Sequence, residues 1–267
     1  MGGKVITVTS GKGGVGKTTT TSNLGVALAR NNQKVVMIDA DIGLRNLDIV
    51  MGLENRIVFD LVDIVEGRCK PRQAMIRHKL FPELYLIPAA QTRDKTAVSP
   101  ADMIQLTDML RDDFDYILID SPAGIERGFR NAIAPADEVL IVTNPEVSAV
   151  RDADRVIGLL ETENKAPGRL ILNRVNAEMV RRGEMLSPDD VTDLLAIQLI
   201  GIVPEDNTVV PSSNSGIPVT LNENSRAGMA YRNIARRLMG EKVPFMQLSE
   251  PGGLFKRLSR LFSSKNG

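Results

Sequence analysis

The stretch with the clearest chemical content is Gly11-Lys12-Gly13-Gly14-Val15-Gly16-Lys17-Thr18, which follows a short aliphatic run and opens a helical one. Glycines at 11 and 16 followed by Lys17-Thr18 satisfy the phosphate-loop pattern. Gly11, Gly13 and Gly16 also satisfy G-x-G-x-x-G. Asp39 ends the next aliphatic run 23 residues after Gly16, where a dinucleotide fold keeps its ribose-binding acid. The glycines do not separate these readings, because both need backbone amides turned toward an anion at a helix N-terminus. Lys17 and Thr18 do. A lysine for the β- and γ-phosphates and a hydroxyl for Mg²⁺ serve a nucleoside triphosphate and have no use in a dinucleotide site. Asp120 closes the apolar run Tyr116-Ile117-Leu118-Ile119, where a phosphate-loop protein keeps the acid that holds Mg²⁺ or its waters. Cys69 and His78 are each the single residue of their type, lack partners at ligand spacing, and are read as inert.

Lys12 narrows the family, since a lysine directly after the first glycine marks the deviant form of the loop. Together with Asp39-Ala40-Asp41-Ile42-Gly43-Leu44-Arg45-Asn46-Leu47-Asp48, Asp120-Ser121-Pro122-Ala123-Gly124-Ile125-Glu126 and Thr143-Asn144-Pro145-Glu146, it closely resembles the MinD/ParA family of deviant Walker A ATPases, and within it the bacterial cell-division branch. Residues 91–95 and 150–152 fit as well, and the match runs from residue 4 to about 250.

The resemblance implies a site and a mechanism. ATP and Mg²⁺ are the expected ligands, with Gly11, Lys12, Gly13, Gly14, Val15, Gly16, Lys17, Thr18 and Thr19 around the phosphates. Asn173 and Pro204 match positions that contact adenine. Thr18 would bind Mg²⁺ directly, while Asp39 and Asp120 hold its water shell. Lys12, Lys17 and Asp41 are the expected catalytic set, with Asp41 positioning the attacking water. Family members dimerise face to face around two ATP molecules, so Lys12 would reach the phosphates of the opposite subunit. Arg45 and Asn46 fall on a nucleotide-sensitive switch, and Arg45, Asp152 and Asp154 match a partner-binding surface. The implied partners are the division inhibitor MinC and the hydrolysis stimulator MinE; the implied role is placement of the division site through a slow, partner-stimulated ATPase. As residues alone, Asp39 could instead simply cap the following turn, and a solvated helix start explains Asp152 and Asp154 nearly as well.

These groups need elements to hold them. Aliphatic runs at 4–9, 34–39, 84–87, 116–120, 138–143, 169–173 and 199–203 alternate with helical stretches at 17–30, 100–112, 126–134, 148–163, 188–196 and 226–239. Several strands are apolar at consecutive positions, as strands buried on both faces are. Ser187-Pro188-Asp189-Asp190 carries a cap, a proline at the first helical position and acids in the first turn. The alternation predicts an α/β fold: a single doubly wound, mostly parallel sheet of the P-loop NTPase type, with helices on both faces and a C-terminal amphipathic helix.

That helix belongs to a second unit. Residues 1–250 are assigned to the ATPase domain and 251–267 to a tail set off by Pro251-Gly252-Gly253. On a helix, Leu254, Phe255, Leu258, Leu261 and Phe262 fall within an arc of about 120°, bordered by Lys256, Arg257 and Arg260. A basic amphipathic segment of this kind is expected to lie on an anionic inner-membrane surface, the competing arrangement being a helix docked on its own domain. Five buried apolar side chains yield on the order of 8–12 kcal/mol gross, most of which goes into ordering the segment. Each cation near anionic lipid adds about 1 kcal/mol. One tail should therefore bind weakly, and two tails on a dimer should gain ~10²–10⁴-fold in avidity.

Composition limits the rest. The chain has 267 residues, with Lys plus Arg (33) equal to Asp plus Glu (33), so no global field favours nucleic acid and no sequence-specific binding is expected. A DNA-partition ATPase is the alternative within the family, and a flagellar-placement relative shares both the loop and a similar tail. One cysteine excludes an iron–sulfur carrier relying on paired cysteines within the chain. Met1-Gly2-Gly3 leads directly into the first strand, read as leaving no room for a signal peptide, and Ile6 stands where myristoylation needs Ser or Thr. The expectation is a cytoplasmic protein, reversibly peripheral on the inner face of the cell membrane.

Overall fold

Adjacent residues of the first strand face opposite layers: Val5 packs with one set of helices and Ile6 with another, both fully buried. This is why the strands read as unbroken apolar runs. The computed structural model describes residues 2–94, 96–165 and 168–248. Among them, eight strands form one sheet: β1 (Lys4–Thr9), β2 (Val35–Asp39), β3 (Ile76–Arg77), β4 (Leu84–Ile87), β5 (Tyr116–Asp120), β6 (Glu138–Thr143), β7 (Arg169–Val175) and β8 (Gln198–Pro204), in the order β3-β4-β2-β5-β1-β6-β7-β8. Every pairing is parallel except that of β3 with β4. The chain moves from β1 toward one edge, returns through β5, then continues to the other edge. That reversal opens a crevice at the carboxyl ends of the central strands, where ligands bind in open α/β sheets.

The helices are α1 (Lys17–Arg30), α2 (Leu47–Val50), α3 (Leu61–Val65), α4 (Pro71–Ala74), α5 (Pro100–Leu110), α6 (Arg127–Ile133), α7 (Val147–Thr162), α8 (Ala177–Arg181), α9 (Pro188–Leu195), α10 (Val209–Asn214) and α11 (Arg226–Leu238). Leu24 and Leu28 of α1 and Tyr231 and Ile234 of α11 cover one face, against Ile6, Met37 and Leu118. On the other face α5 packs Met103 and Leu106 against Ile117 and Ile119, and α6 and α7 pack Ile133 and Val156 against Ile141 and Leu170. Each fully buried Leu or Ile contributes roughly 1.5–3 kcal/mol of transfer free energy.

All seven expected strands and six expected helices are present, with ends shifted by at most two residues. The Ser187 hydroxyl accepts from the Asp190 amide at 3.1 Å, forming the expected cap. The two-residue β3 and the short helices α2, α3, α4, α8 and α10 were not legible, because segments of two to six residues carry no periodicity. After α11, Arg237 donates to the carbonyls of Ile200, Val243 and Pro244, and its guanidinium lies 4.4 Å from the Phe245 ring centroid. Arg226 donates to the carbonyls of Gln247 and Leu248, so the chain is strapped to the sheet edge as far as Leu248. The expected tail (Leu254, Phe255, Lys256, Arg257, Leu258, Arg260, Leu261 and Phe262) and the 250/251 boundary lie outside the described residues. Among the described residues, no helix is long and apolar enough to cross a membrane.

Candidate nucleotide site

The loop from Gly11 to Gly16 joins β1 to α1, and two of its glycines are fixed by what surrounds them. Gly16 caps α1 at φ 103°, a left-handed conformation costly for any side chain, and a Cβ there would stand 2.3 Å from Nδ2 of Asn173. A Cβ on Gly11 would stand 2.2 Å from the carbonyl oxygen of Asp152, so α7 lies directly against the loop. Asn173 reaches the loop because β7 breaks register between Leu172 and Val175, with Arg174 at φ 56°. Such a bulge re-aims a side chain. Here it lets Asn173 Nδ2 donate to the Val15 carbonyl at 2.7 Å. The expected adenine neighbour thus braces the phosphate loop, while Pro204 is buried at the end of the adjacent β8, in register with Val175.

Lys17 and Thr18 begin α1. Lys17 is 8% exposed, and burial pushes its pKa down against the opposing pull of Asp120 and Asp41. The Thr18 hydroxyl hydrogen-bonds Asp120. One turn later, Thr21 donates to Asp120 Oδ1 at 3.1 Å. Thr21 escaped the sequence reading, although its place three residues after Thr18 puts it on the same helix face. Thr19, half-buried, accepts from Ser22 and Asn23 through its carbonyl.

Asp39 and Asp120 are direct neighbours across β2 and β5 and both are 1% exposed. Burial raises both pKa values, and Asp120 raises Asp39 further. The Asp39 carboxylate accepts from the amides of Asp41 (3.0 Å), Asn46 (3.2 Å) and Leu47 (3.1 Å). It therefore does cap the following turn, and in doing so it fixes the loop carrying Asp41 and Arg45. Arg45 has φ 45° and pairs with buried Asp48 at 3.1 Å. Two adjacent buried acids resist ionising together until a cation arrives, and a hydroxyl stands beside them. That donor set fits Mg²⁺, a hard cation that keeps its waters and takes few protein ligands. Among the described residues no three His, Cys, Asp or Glu side chains form a cation cage.

Lys12 is placed differently. It is exposed, with Nζ 3.2 Å from the Ser148 hydroxyl and 3.7 Å from Glu146, both at the start of α7. Asp152, half-buried on α7, pairs with Arg155 at 3.4 Å. Asp154 is exposed beside a groove of about 270 Å³ lined by Val147, Val150, Leu186 and Leu194. The structure thus gathers the loop, Lys17, Thr18, Asp39, Asp41, Asp120 and Asn173 at one crevice. It puts Lys12 on the rim and Asp154 outside. His78 is structural: its Nδ1 accepts from the amides of Leu80 and Phe81.

Sheet order, phosphate loop and paired acids define a P-loop ATPase of the deviant Walker type. A family model described as an AAA domain matches residues 3–166. The septum site-determining protein MinD of Bacillus subtilis is 52% identical over 267 residues, covering 99% of this chain and 100% of that one. The chain belongs to the MinD family. Among solved structures, the MinC:MinD cell division complex of Aquifex aeolicus aligns with TM-score 0.86 and 49% identity, over 92% of this chain and 100% of that chain. Pyrococcus horikoshii MinD complexed with Mg-ADP aligns with TM-score 0.81 and 30% identity, over 90% and 99%.

Proposed function

We propose that this chain is an ATP-switched ATPase of division-site placement. It dimerises face to face around two ATP molecules, resides on the membrane while ATP-bound, and leaves after hydrolysis. The observation that carries the reading is the contrast between its two loop lysines. Lys17 is buried among the site's acids, while Lys12 is exposed on the rim, held by Ser148 and Glu146. A second cation beside a phosphate site that already has one is suited to phosphates arriving from across an interface. Charge spreads over the γ-phosphoryl oxygens in the transition state, and a positioned cation stabilises it.

Within each subunit the loop amides from Gly11 to Thr19 cradle the phosphates, and Asn173 and Pro204 border the adenine. Thr18 would hold Mg²⁺ directly, with Asp39 and Asp120 taking its waters, and the ion would supply neutralisation of the charge developing on the phosphates. Asp41 orients the attacking water. MinC and MinE dock on the surface of Arg45, Asp152 and Asp154, MinC being the partner in the solved complex of the A. aeolicus relative. MinE raises a slow intrinsic hydrolysis rate and so releases the protein. Residues 251–267 supply the amphipathic contact with anionic lipid on the inner face of the cell membrane.

Light scattering on a sizing column tests the dimer. With ATP the protein should elute as a dimer and with ADP as a monomer. Lys12→Ala should stay monomeric in both while still binding ATP. A Lys12→Ala protein that dimerises normally would overturn the cross-interface role.

A further inference from the structure

Asn131, on α6, is 4% exposed and makes one hydrogen bond with its side chain: Nδ2 donates to the Val98 carbonyl at 2.7 Å. Because Val98 offers only an acceptor, the amide cannot be turned around, and Oδ1 must face the other way. That oxygen is buried and has no hydrogen-bond partner among the described residues. Leaving such a group unsatisfied is costly, because its hydration is lost with no hydrogen bond to replace it. Asn131 lines a cavity of about 20 Å³ whose wall also includes Asp41, Ala40, Val98 and Pro122. Of the described residues lining it, Asp41 and Asn131 alone carry polar side chains. A space of this size accommodates one water, provided that polar partners hold it.

We infer that Asn131 Oδ1 holds a buried water that bridges to Asp41, which makes Asn131 a positioning residue for hydrolysis. The inference rests on the reading of Asp41 as the residue that orients the attacking water. It also ties the loop after β2 to the loop after β5. α6 lies against the 120–124 loop so closely that a Cβ on Gly128 would stand 2.5 Å from Pro122, so a shift of that loop carries Asn131 with it. The Asp39 carboxylate meanwhile holds the backbone of Asp41. Asp41 is thus supported from β2 through its amide and from α6 through the water.

A high-resolution crystal structure gives the direct readout: a water within hydrogen-bond distance of both Asn131 Oδ1 and Asp41. Asn131→Leu fills the space with a similar volume and removes the acceptor. Its kcat should fall about tenfold, the scale on which small misplacements of a reacting group act, with KM for ATP unchanged. Asn131→Asp, which can present an oxygen to the cavity and a protonated oxygen to Val98, should recover activity at low pH and lose it as pH rises. No water at the site, or an Asn131→Leu enzyme with unchanged kcat, would overturn the inference. Loss of activity in both variants at every pH would do the same, since it would reduce Asn131 to a support for Val98. The companion variant Asp41→Asn separates the two readings. Full activity there would sink the role of Asp41 while the crystallographic water still decides whether the bridge exists.

Discussion

Lys17 and Lys12 sit five residues apart in one loop and experience opposite surroundings, a difference no count of lysines could reveal. Burial works against the charge on Lys17 and lowers its pKa, while Asp120 and Asp41 oppose that shift in part and hold the side chain where a triphosphate would need it. Lys17→Ala should weaken ATP binding by at least about 10²-fold, the scale of losing a charge-assisted contact in a buried site; titration with a fluorescent ATP analogue measures it. His78 supplies a pH signature away from the site. Burial first, then Lys79 and Arg56, lower its pKa from 6.5, and its Nδ1 must stay unprotonated to accept the Leu80 and Phe81 amides. A depressed folded pKa means that the neutral ring adds stability above pH 6.5, and this is lost as pH falls. Urea midpoints should therefore drop between neutral pH and pH 5 by more in the native chain than in His78→Gln.

Elements position these residues through close approaches that only small groups permit. Within the phosphate loop, Gly11 against the Asp152 carbonyl is the sharpest case. Gly11→Ala should lower stability by about 1–3 kcal/mol, the range for overpacking, and weaken ATP binding as the loop is pushed off α7; thermal melts with and without nucleotide separate the two effects. Asp206 plays a similar part below Pro204. Burial opposes its ionisation, but Thr208, Ala227 and Ser225 together bring its pKa to about 2. Asp206→Ala should loosen the start of α11 and cost stability above pH 4 that the native chain retains until the pH approaches 2, as acid titration followed by circular dichroism would record. This scale also explains what the sequence did and did not reveal. Lys17, Thr18, Asp39 and Asp120 were legible because each is fixed by its place at the end of a strand or start of a helix. The contact of Asn173 with Val15 depends on a bulge and on Arg174 in a left-handed conformation, which no residue pattern announces. Likewise Ser148 lies 136 residues from Lys12, and only the fold brings them together. The cavity between Asp41 and Asn131 is a product of packing segments far apart in sequence, from Ala40 and Leu61 to Val98, Pro122 and Asn131.

For the molecule as a whole, the account joins a nucleotide crevice at one end of the sheet to a tail that begins beyond a strap held by Arg226 and Arg237. With a net charge of zero, the lipid attraction we propose has to come from the local cations of residues 251–267. Truncation after residue 250 should leave ATP binding and ATP-dependent dimerisation intact while removing vesicle binding. The central claim is that nucleotide state sets membrane residence through paired tails. Co-sedimentation of the full chain with anionic liposomes in ATP, a non-hydrolysable analogue or ADP measures it most directly. The account predicts strong pelleting with ATP or the analogue and little with ADP; equal pelleting in all three states, or none in any, would contradict it.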